Sequence, residues 1–312
     1  LICSTPAISV RHKTAYNIWF IFDLPGETDL ANLIKAKISA LGTYVPPRLL
    51  TNADLEKMVE TSNDWIIERT GIKQRHIVDK GMATSDLAIE AARTALKERG
   101  ISGSEIEAIF LGTVTPDMLF PATACIVQDK IGAAGAWGYD ISAACSGFVY
   151  ALQTAVKFVE TGAHKRVLAI GADVMTSIIN YEDRATCVIF GDGAGAVVVE
   201  PATDDNYFID FTHEVDGSGA CSLFMPGGGS RNPTTHETVE KKMHYVHQDG
   251  GAVFKYAVRK MAEASEIVLK RNGFTGKDVA LFVPHQANRR IIMSAADRLG
   301  LAEDRIIINI DV

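Results

Sequence analysis

No stretch of eighteen consecutive apolar residues occurs in the 312-residue chain, so no segment reads as a membrane-crossing helix. Positive charge is also short: 31 Lys and Arg stand against 38 Asp and Glu, a formal net charge of −7. Proteins that coat nucleic acid are usually basic, so no nucleic-acid partner is expected, and any acidic partner must be met by a local patch. Cysteine is sparse. Its five copies, Cys3, Cys125, Cys145, Cys187 and Cys221, are odd in number, widely spaced and include no C-x-x-C pair. That pattern argues for a reducing compartment, hence the cytoplasm, and against a disulfide framework or structural zinc. No G-x-x-x-x-G-K-[ST] loop is present, and the glycine-rich residues 190–196 lead into Val197, Val198 and Val199 instead of opening a helix. Those glycines read as close backbone packing around a buried site, and Gly227, Gly228 and Gly229 as a loop. What remains, 47% hydrophobic and 22% charged, is the composition of an ordinary globular protein long enough for two domains or one duplicated unit.

The first 22 residues contain no acid, and residues 1–33 read as an appendage of unknown origin, outside the fold. Residues 36–41 then read as a strand, 42–47 as a turn and 52–60 as a helix. Residues 86–99 carry Leu87, Ala88, Ala91, Ala92, Ala95 and Leu96 at helical spacing, with Gly100 as the stop. Strands at 108–111, 139–144 and 167–170 alternate with helical segments, which predicts an α/β fold with parallel pairing. Residues 96–106 are echoed at 269–279, 173 positions later, with Leu-Lys, two Gly, an acid and a β-branched residue in register. Shifting the first strand by the same interval lands on 209–212, which also reads as a strand. The chain is therefore expected to hold two halves of similar βαβ plan, 36–205 and 206–312. The second is shorter, and further residues are expected after Val312.

Cys145 lies in Ser-Ala-Ala-Cys-Ser-Gly-Phe, between a strand and a helix expected at 146–161. Small neighbours and Gly147 permit a tight corner that would present the sulfur at a helix N-terminus, where the dipole favours thiolate. The alternative is a small buried hydrophobe. Among the eight His, His285 follows the expected strand 281–283 and Pro284, and the 173 interval aligns it with Gly112 at a strand's C-terminal end, where sites in α/β sheets gather. The other seven sit among polar or loop residues, where a solvated role is the default. Met261 and Met293 read as core.

Four blocks in order, Asn-Asp-Trp-Ile-Ile-Glu-Arg-Thr-Gly-Ile at 63–72, Cys145-Ser146-Gly147, Phe-Gly-Asp-Gly-Ala-Gly-Ala at 190–196 and Pro-His-Gln-Ala-Asn at 284–288, together resemble the 3-oxoacyl-[acyl-carrier-protein] synthase III family of condensing enzymes. The resemblance runs from about residue 36 to the end. It implies a thiolase-like fold, two similar halves in a five-layered αβαβα unit. It implies an acyltransferase that initiates fatty-acid synthesis: acetyl-CoA or another short acyl-CoA acylates Cys145, and malonyl-acyl carrier protein then condenses with the acyl group under decarboxylation. No metal, nicotinamide or flavin is implied.

By the same resemblance Cys145 and His285 are catalytic, while a third Asn and an oxyanion-hole glycine belong to a segment after Val312. Trp65, Arg69 and Arg184 match residues holding the nucleotide end of CoA; taken alone, Trp65 reads more readily as core and the arginines as solvated charges. Gln286, Ala287, Asn288, Arg289 and Arg290 match the carrier-protein docking stretch. Phe120 matches a gate lent to a neighbouring subunit's acyl pocket, which implies a homodimer. Gly251 stands where some relatives have a polar pantetheine contact. Two alternatives stay open: another thiolase-fold acyl-CoA or polyketide-type synthase, and a non-catalytic dimer partner.

Overall fold

The structure, a computed structural model, describes residues 34–311, so the expected appendage of 1–33 lies outside the described residues. In chain order its elements are β1 (Ala36–Tyr44), β2 (Arg48–Thr51), α1 (Asn52–Leu55), α2 (Asn63–Thr70), β3 (Gln74–Ile77), α3 (Thr84–Arg99), β4 (Ala108–Gly112), α4 (Thr123–Lys130), β5 (Trp137–Ile141) and α5 (Gly147–Glu160). β6 (Val167–Val174), α6 (Arg184–Cys187), β7 (Asp192–Pro201), α7 (His236–Glu240), α8 (Gly250–Arg271) and α9 (Arg289–Leu299) follow.

Five strands form one sheet in the order β1-β7-β6-β4-β5. β4 pairs in parallel with both β5 and β6, whereas β7 runs antiparallel to β6 and to β1. The expectation of parallel pairing therefore holds for the centre and fails at β7, where residues 192–196 of the glycine-rich run are themselves strand and the strand runs antiparallel to its neighbours. Alternation along β4 builds the two faces: Ile109 and Leu111 pack with Ala88, Ala92 and Val127 from α3 and α4, while Ala108 and Phe110 pack with Ala151, Ala155 and Val159 from α5. α3 is started by the Asp86 carboxylate, which accepts from Ala83 N–H at 2.8 Å, and stopped by Gly100 at φ 73°.

The sequence echo is also an echo of geometry. Ile101 N–H donates to Leu96 O at 3.1 Å, and Phe274 N–H to Leu269 O at 2.8 Å. Ser102 N–H donates to the Glu105 carboxylate as Thr275 N–H does to that of Asp278. A methyl on Gly103 would stand 1.9 Å from Ile131 O, and one on Gly276 would stand 1.9 Å from Leu299 O, so both turns press against the end of a helix too closely for any side chain.

Four local expectations are corrected. Residues 42–44 continue β1, because Gly42 lets α3 approach: a methyl there would lie 2.2 Å from Ala91 O. The helix expected at 52–60 ends at Leu55, and a separate helix, α2, is opened by the Ser62 hydroxyl accepting from Trp65 N–H. Residues 209–212 are not a strand; Phe208 and Phe211 instead cover the α5 side of the sheet. Residues 281–283 carry only a parallel bridge, from Phe282 to Ile306. Met261 and Met293 are half-buried, and Met293 packs with Ile292, Leu299 and Ile306 beneath α9.

Candidate active site

β4 and β5 end side by side at Gly112 and Ile141, level with Gly171 of β6, which runs on to Val174, and the chain leaves β5 to enter the N-terminus of α5. A methyl on Gly112 at the end of β4 would stand 2.3 Å from the carbonyl carbon of Gly147, and one on Gly171 in β6 would stand 2.8 Å from Phe148 Cβ. Glycine at both positions lets the first turn of α5 settle onto the strand ends. Ala144, just before the cysteine, has φ 45°, a left-handed conformation that is uncommon without a stabilising context. Ser146 N–H closes the corner by donating to Ala143 O at 3.0 Å. The result lifts Cys145 out of the packing: it is exposed, which rules out the buried-hydrophobe reading, whereas Cys187 is buried.

The charge state of that sulfur departs from expectation. Burial pushes the Cys145 thiol up, its own backbone N–H pulls it down, and the Asp173 carboxylate pushes it up again. Surface contact with solvent and a strong desolvation effect coexist because protein closes round the sulfur on several sides while one side stays open. The helix N-terminus therefore does not leave a resting thiolate, as the sequence suggested; the crowded site and a nearby carboxylate favour the thiol. Asp173 itself is raised by burial despite four donors: Val114 N–H at 2.9 Å, Thr115 N–H at 3.2 Å, and the hydroxyls of Thr113 and Thr115, each at 2.9 Å. It was missed in the sequence, where the signal was a lone acid closing the otherwise apolar run of β6.

His285 lies between the bridge at Phe282 and the start of α9. Like Cys145 it is exposed on one side, but the protein around its ring strips water from the imidazole and pushes it down, so the neutral form with one N–H donor is favoured at pH 7. Among the described residues no hydrogen bond joins it to Cys145. Its neighbours are engaged structurally. Gln286 donates to Pro284 O at 3.1 Å and Ile307 O at 2.9 Å and accepts from Asn309 N–H at 3.0 Å. Asn288 caps α9 by accepting from Arg290 N–H at 2.9 Å, and its amide donates to Arg69 O at 2.8 Å. Ala287 N–H donates to His285 O at 3.0 Å. Arg289 and Arg290 are exposed; Arg289 pairs with Glu303 at 3.1 Å, and Arg290 stacks over the Phe254 ring at 5.0 Å.

Three residues distant in sequence do converge. The Trp65 ring is half-buried and takes the guanidinium of Arg184 at 5.0 Å and that of Arg69 at 5.6 Å. Arg184 also donates to Glu60 O at 3.1 Å. An aromatic face flanked by two exposed cations suits a flat base attached to phosphates. Phe120 stands elsewhere, 84% exposed beside Leu119 at 87%, at the tip of the segment that leaves β4. That tip is anchored on both sides: Asp117 accepts from Ser85 N–H at 2.8 Å and its hydroxyl at 2.7 Å, and Asp140 accepts from Thr123 and Ala124 N–H at 2.7 and 2.8 Å. Gly251 is exposed in the first turn of α8. Among the described residues no group of three or more His, Cys, Asp or Glu is placed to hold a metal ion.

Residues 139–217 match the family described as 3-Oxoacyl-[acyl-carrier-protein (ACP)] synthase III, and residues 269–312 match its C-terminal counterpart. The chain is 60% identical over 284 residues to the beta-ketoacyl-[acyl-carrier-protein] synthase III of Koribacter versatilis, covering 90% of this chain and 85% of that one. Its fold superposes on the crystal structure of 3-oxoacyl-[acyl-carrier-protein] synthase III from Aquifex aeolicus with a TM-score of 0.82 at 41% identity, covering 88% of this chain and 84% of that one. It also superposes on the priming beta-ketosynthase of the R1128 polyketide biosynthetic pathway, with a TM-score of 0.83 at 32% identity over 92% and 84% of the two chains.

Proposed function

Because this chain belongs to the 3-oxoacyl-[acyl-carrier-protein] synthase III family and shares its thiolase-like α/β fold, we propose that Cys145 is the acyl-accepting nucleophile of a condensing enzyme that initiates fatty-acid synthesis. The observation that carries this reading is the corner at Ala144, which spends backbone strain to present one exposed thiol where the ends of β4 and β5 meet the N-terminus of α5.

Acetyl-CoA or another short acyl-CoA binds with its nucleotide end at Trp65, Arg69 and Arg184. The Cys145 sulfur attacks the thioester carbonyl, the thiol proton leaves, and CoA departs as its thiol. Malonyl-acyl carrier protein follows, guided by Arg289 and Arg290. It loses carbon dioxide, and neutral His285 donates a hydrogen bond to the thioester oxygen as negative charge builds there. The carbanion attacks the acyl carbon on Cys145, expelling the sulfur and giving 3-oxoacyl-carrier protein. These steps balance without electron transfer, so neither nicotinamide nor flavin has a part. The apolar tip at Leu119 and Phe120 is offered to a second copy of the chain, as a homodimer requires.

Labelling tests the central assignment. Radioactive acetyl-CoA should mark one tryptic peptide, the one containing Cys145, and Cys145→Ser should abolish most of the label. Label on Cys125 or Cys187 would overturn it. The likeness to a polyketide priming synthase supports a second reading, in which the acceptor is the carrier protein of a polyketide pathway. Comparing turnover with fatty-acid and polyketide carrier proteins separates the two.

A further inference from the structure

Arg75 in β3 is only 3% exposed, yet no carboxylate pairs with it among the described residues. Its guanidinium donates through one terminal nitrogen to the Asn52 side-chain oxygen and through the other to Val188 O, and its Nε has no partner. Burial lowers its pKa to about 10. Leaving a buried charge unpaired and one N–H unbonded opposes folding, so stability alone does not account for an arginine here.

The two bonds reach the two arms of the Trp65 stack. Asn52, itself 2% exposed, donates to the Asn63 side-chain oxygen at 3.0 Å and to Ile72 O at 2.9 Å. Asn63 is the first residue of α2, the helix that carries Trp65 and Arg69. Val188 is the C-cap of α6, whose first residue is Arg184. A single buried fork thus fastens the start of one short helix to the end of another more than a hundred positions along the chain.

We propose that Arg75, with Asn52, is a positioning pair that sets the gap between Trp65 and Arg184 and thereby the enzyme's affinity for the nucleotide end of CoA. This rests on the reading of Trp65, Arg69 and Arg184 as the nucleotide site. Neither residue of the pair touches substrate; both act through the stack. Their effect is confined to substrates that carry the nucleotide, which separates positioning from general support of the fold.

The test compares acylation of Cys145 by acetyl-CoA with acylation by acetyl-pantetheine, which has the same reacting end and no nucleotide. Arg75→Met, similar in length and without charge, should raise KM for acetyl-CoA about tenfold, the scale of ordering one or two binding side chains, and leave acetyl-pantetheine unchanged. Asn52→Ala cuts the same link from the other side and should give the same pattern, which covers the case that Arg75→Met does not fold. Equal losses with both thioesters, or no change with either, would overturn the proposal. Trp65→Ala is the control for the underlying reading. If it discriminates between the thioesters while Arg75→Met and Asn52→Ala do not, the positioning role alone fails; if Trp65→Ala does not discriminate, the nucleotide site fails and the proposal falls with it.

Discussion

Cys145 and His285 are shifted in opposite directions by the same cause, loss of water, because one becomes charged on deprotonation and the other on protonation. For the thiol a raised pKa means less thiolate at any given pH. Alkylation of Cys145 by iodoacetamide should therefore climb roughly tenfold per pH unit through neutrality and continue past the ordinary thiol value of about 8.5. A plateau below that value would show a resting thiolate instead. Part of the rise comes from the charge of Asp173, so Asp173→Asn should move the same profile to lower pH. For the imidazole a lowered pKa means that the neutral donor persists as pH falls, so decarboxylation should hold steady down to pH 6.5, the ordinary histidine value. His285→Ala should cost about a hundredfold to a thousandfold in carbon dioxide release, the usual loss for one donor at a developing oxyanion. Because the site does not hand Cys145 a thiolate, a fall in acylation that matches the fall in decarboxylation would mean that His285 also takes the thiol proton.

At the scale of elements, presentation of the proposed nucleophile depends on how closely α5 meets β4 and β6. A methyl on Gly112 would collide with the backbone of Gly147, which has no rotamer to move away. Gly112→Ala should therefore push α5 outward, lowering stability by roughly 1–3 kcal/mol as overpacking does. A urea titration reads that change, and Cys145 acylation should drop more than the stability loss explains. Ala144 provides the complementary case. At φ 45°, Ala144→Gly relieves strain and should acylate as the parent does, whereas Ala144→Val places a branched side chain in a disfavoured conformation and should acylate poorly. Equal behaviour of the Gly and Val variants would mean that the corner is not what holds the sulfur.

At the scale of the molecule, surface charge and surface hydrophobicity divide the work of recognition. A chain with net charge −7 repels an acidic carrier protein except where cations cluster, and Arg290 is exposed while its neighbour Arg289 is partly spent on Glu303. Arg290→Glu should raise KM for malonyl-carrier protein and leave acylation by acetyl-CoA unchanged, and rising salt should weaken the parent's binding in the same sense. The apolar tip follows different physics. Leu119→Glu should dissociate the proposed homodimer in sedimentation analysis with little effect on the thermal midpoint of the monomer, since Leu119 is almost fully exposed in this chain.

Local pattern alone determined α3, β4 and α5, because each has an unbroken apolar period and a glycine or polar residue to end it. It also singled out Cys145 from its immediate neighbours, and the recurrence at 173 positions, legible by comparing the chain with itself, helped single out His285. It failed at Gly42, read as a turn when its lack of a side chain serves a helix packed against it, and at residues 192–196, read as glycines that ease backbone packing ahead of a strand although they already belong to that strand and pair with β6 and, from Ala194, with β1. In both cases glycine has the same local signature whether it bends the chain or admits a neighbour, and only the neighbour decides. The thiol's upward shift, the Asp173 cluster and the Arg75 fork were hidden for the same reason. Desolvation, and hydrogen bonds spanning 23 to 113 positions, are set by what the tertiary structure brings near, and no short window of sequence shows them.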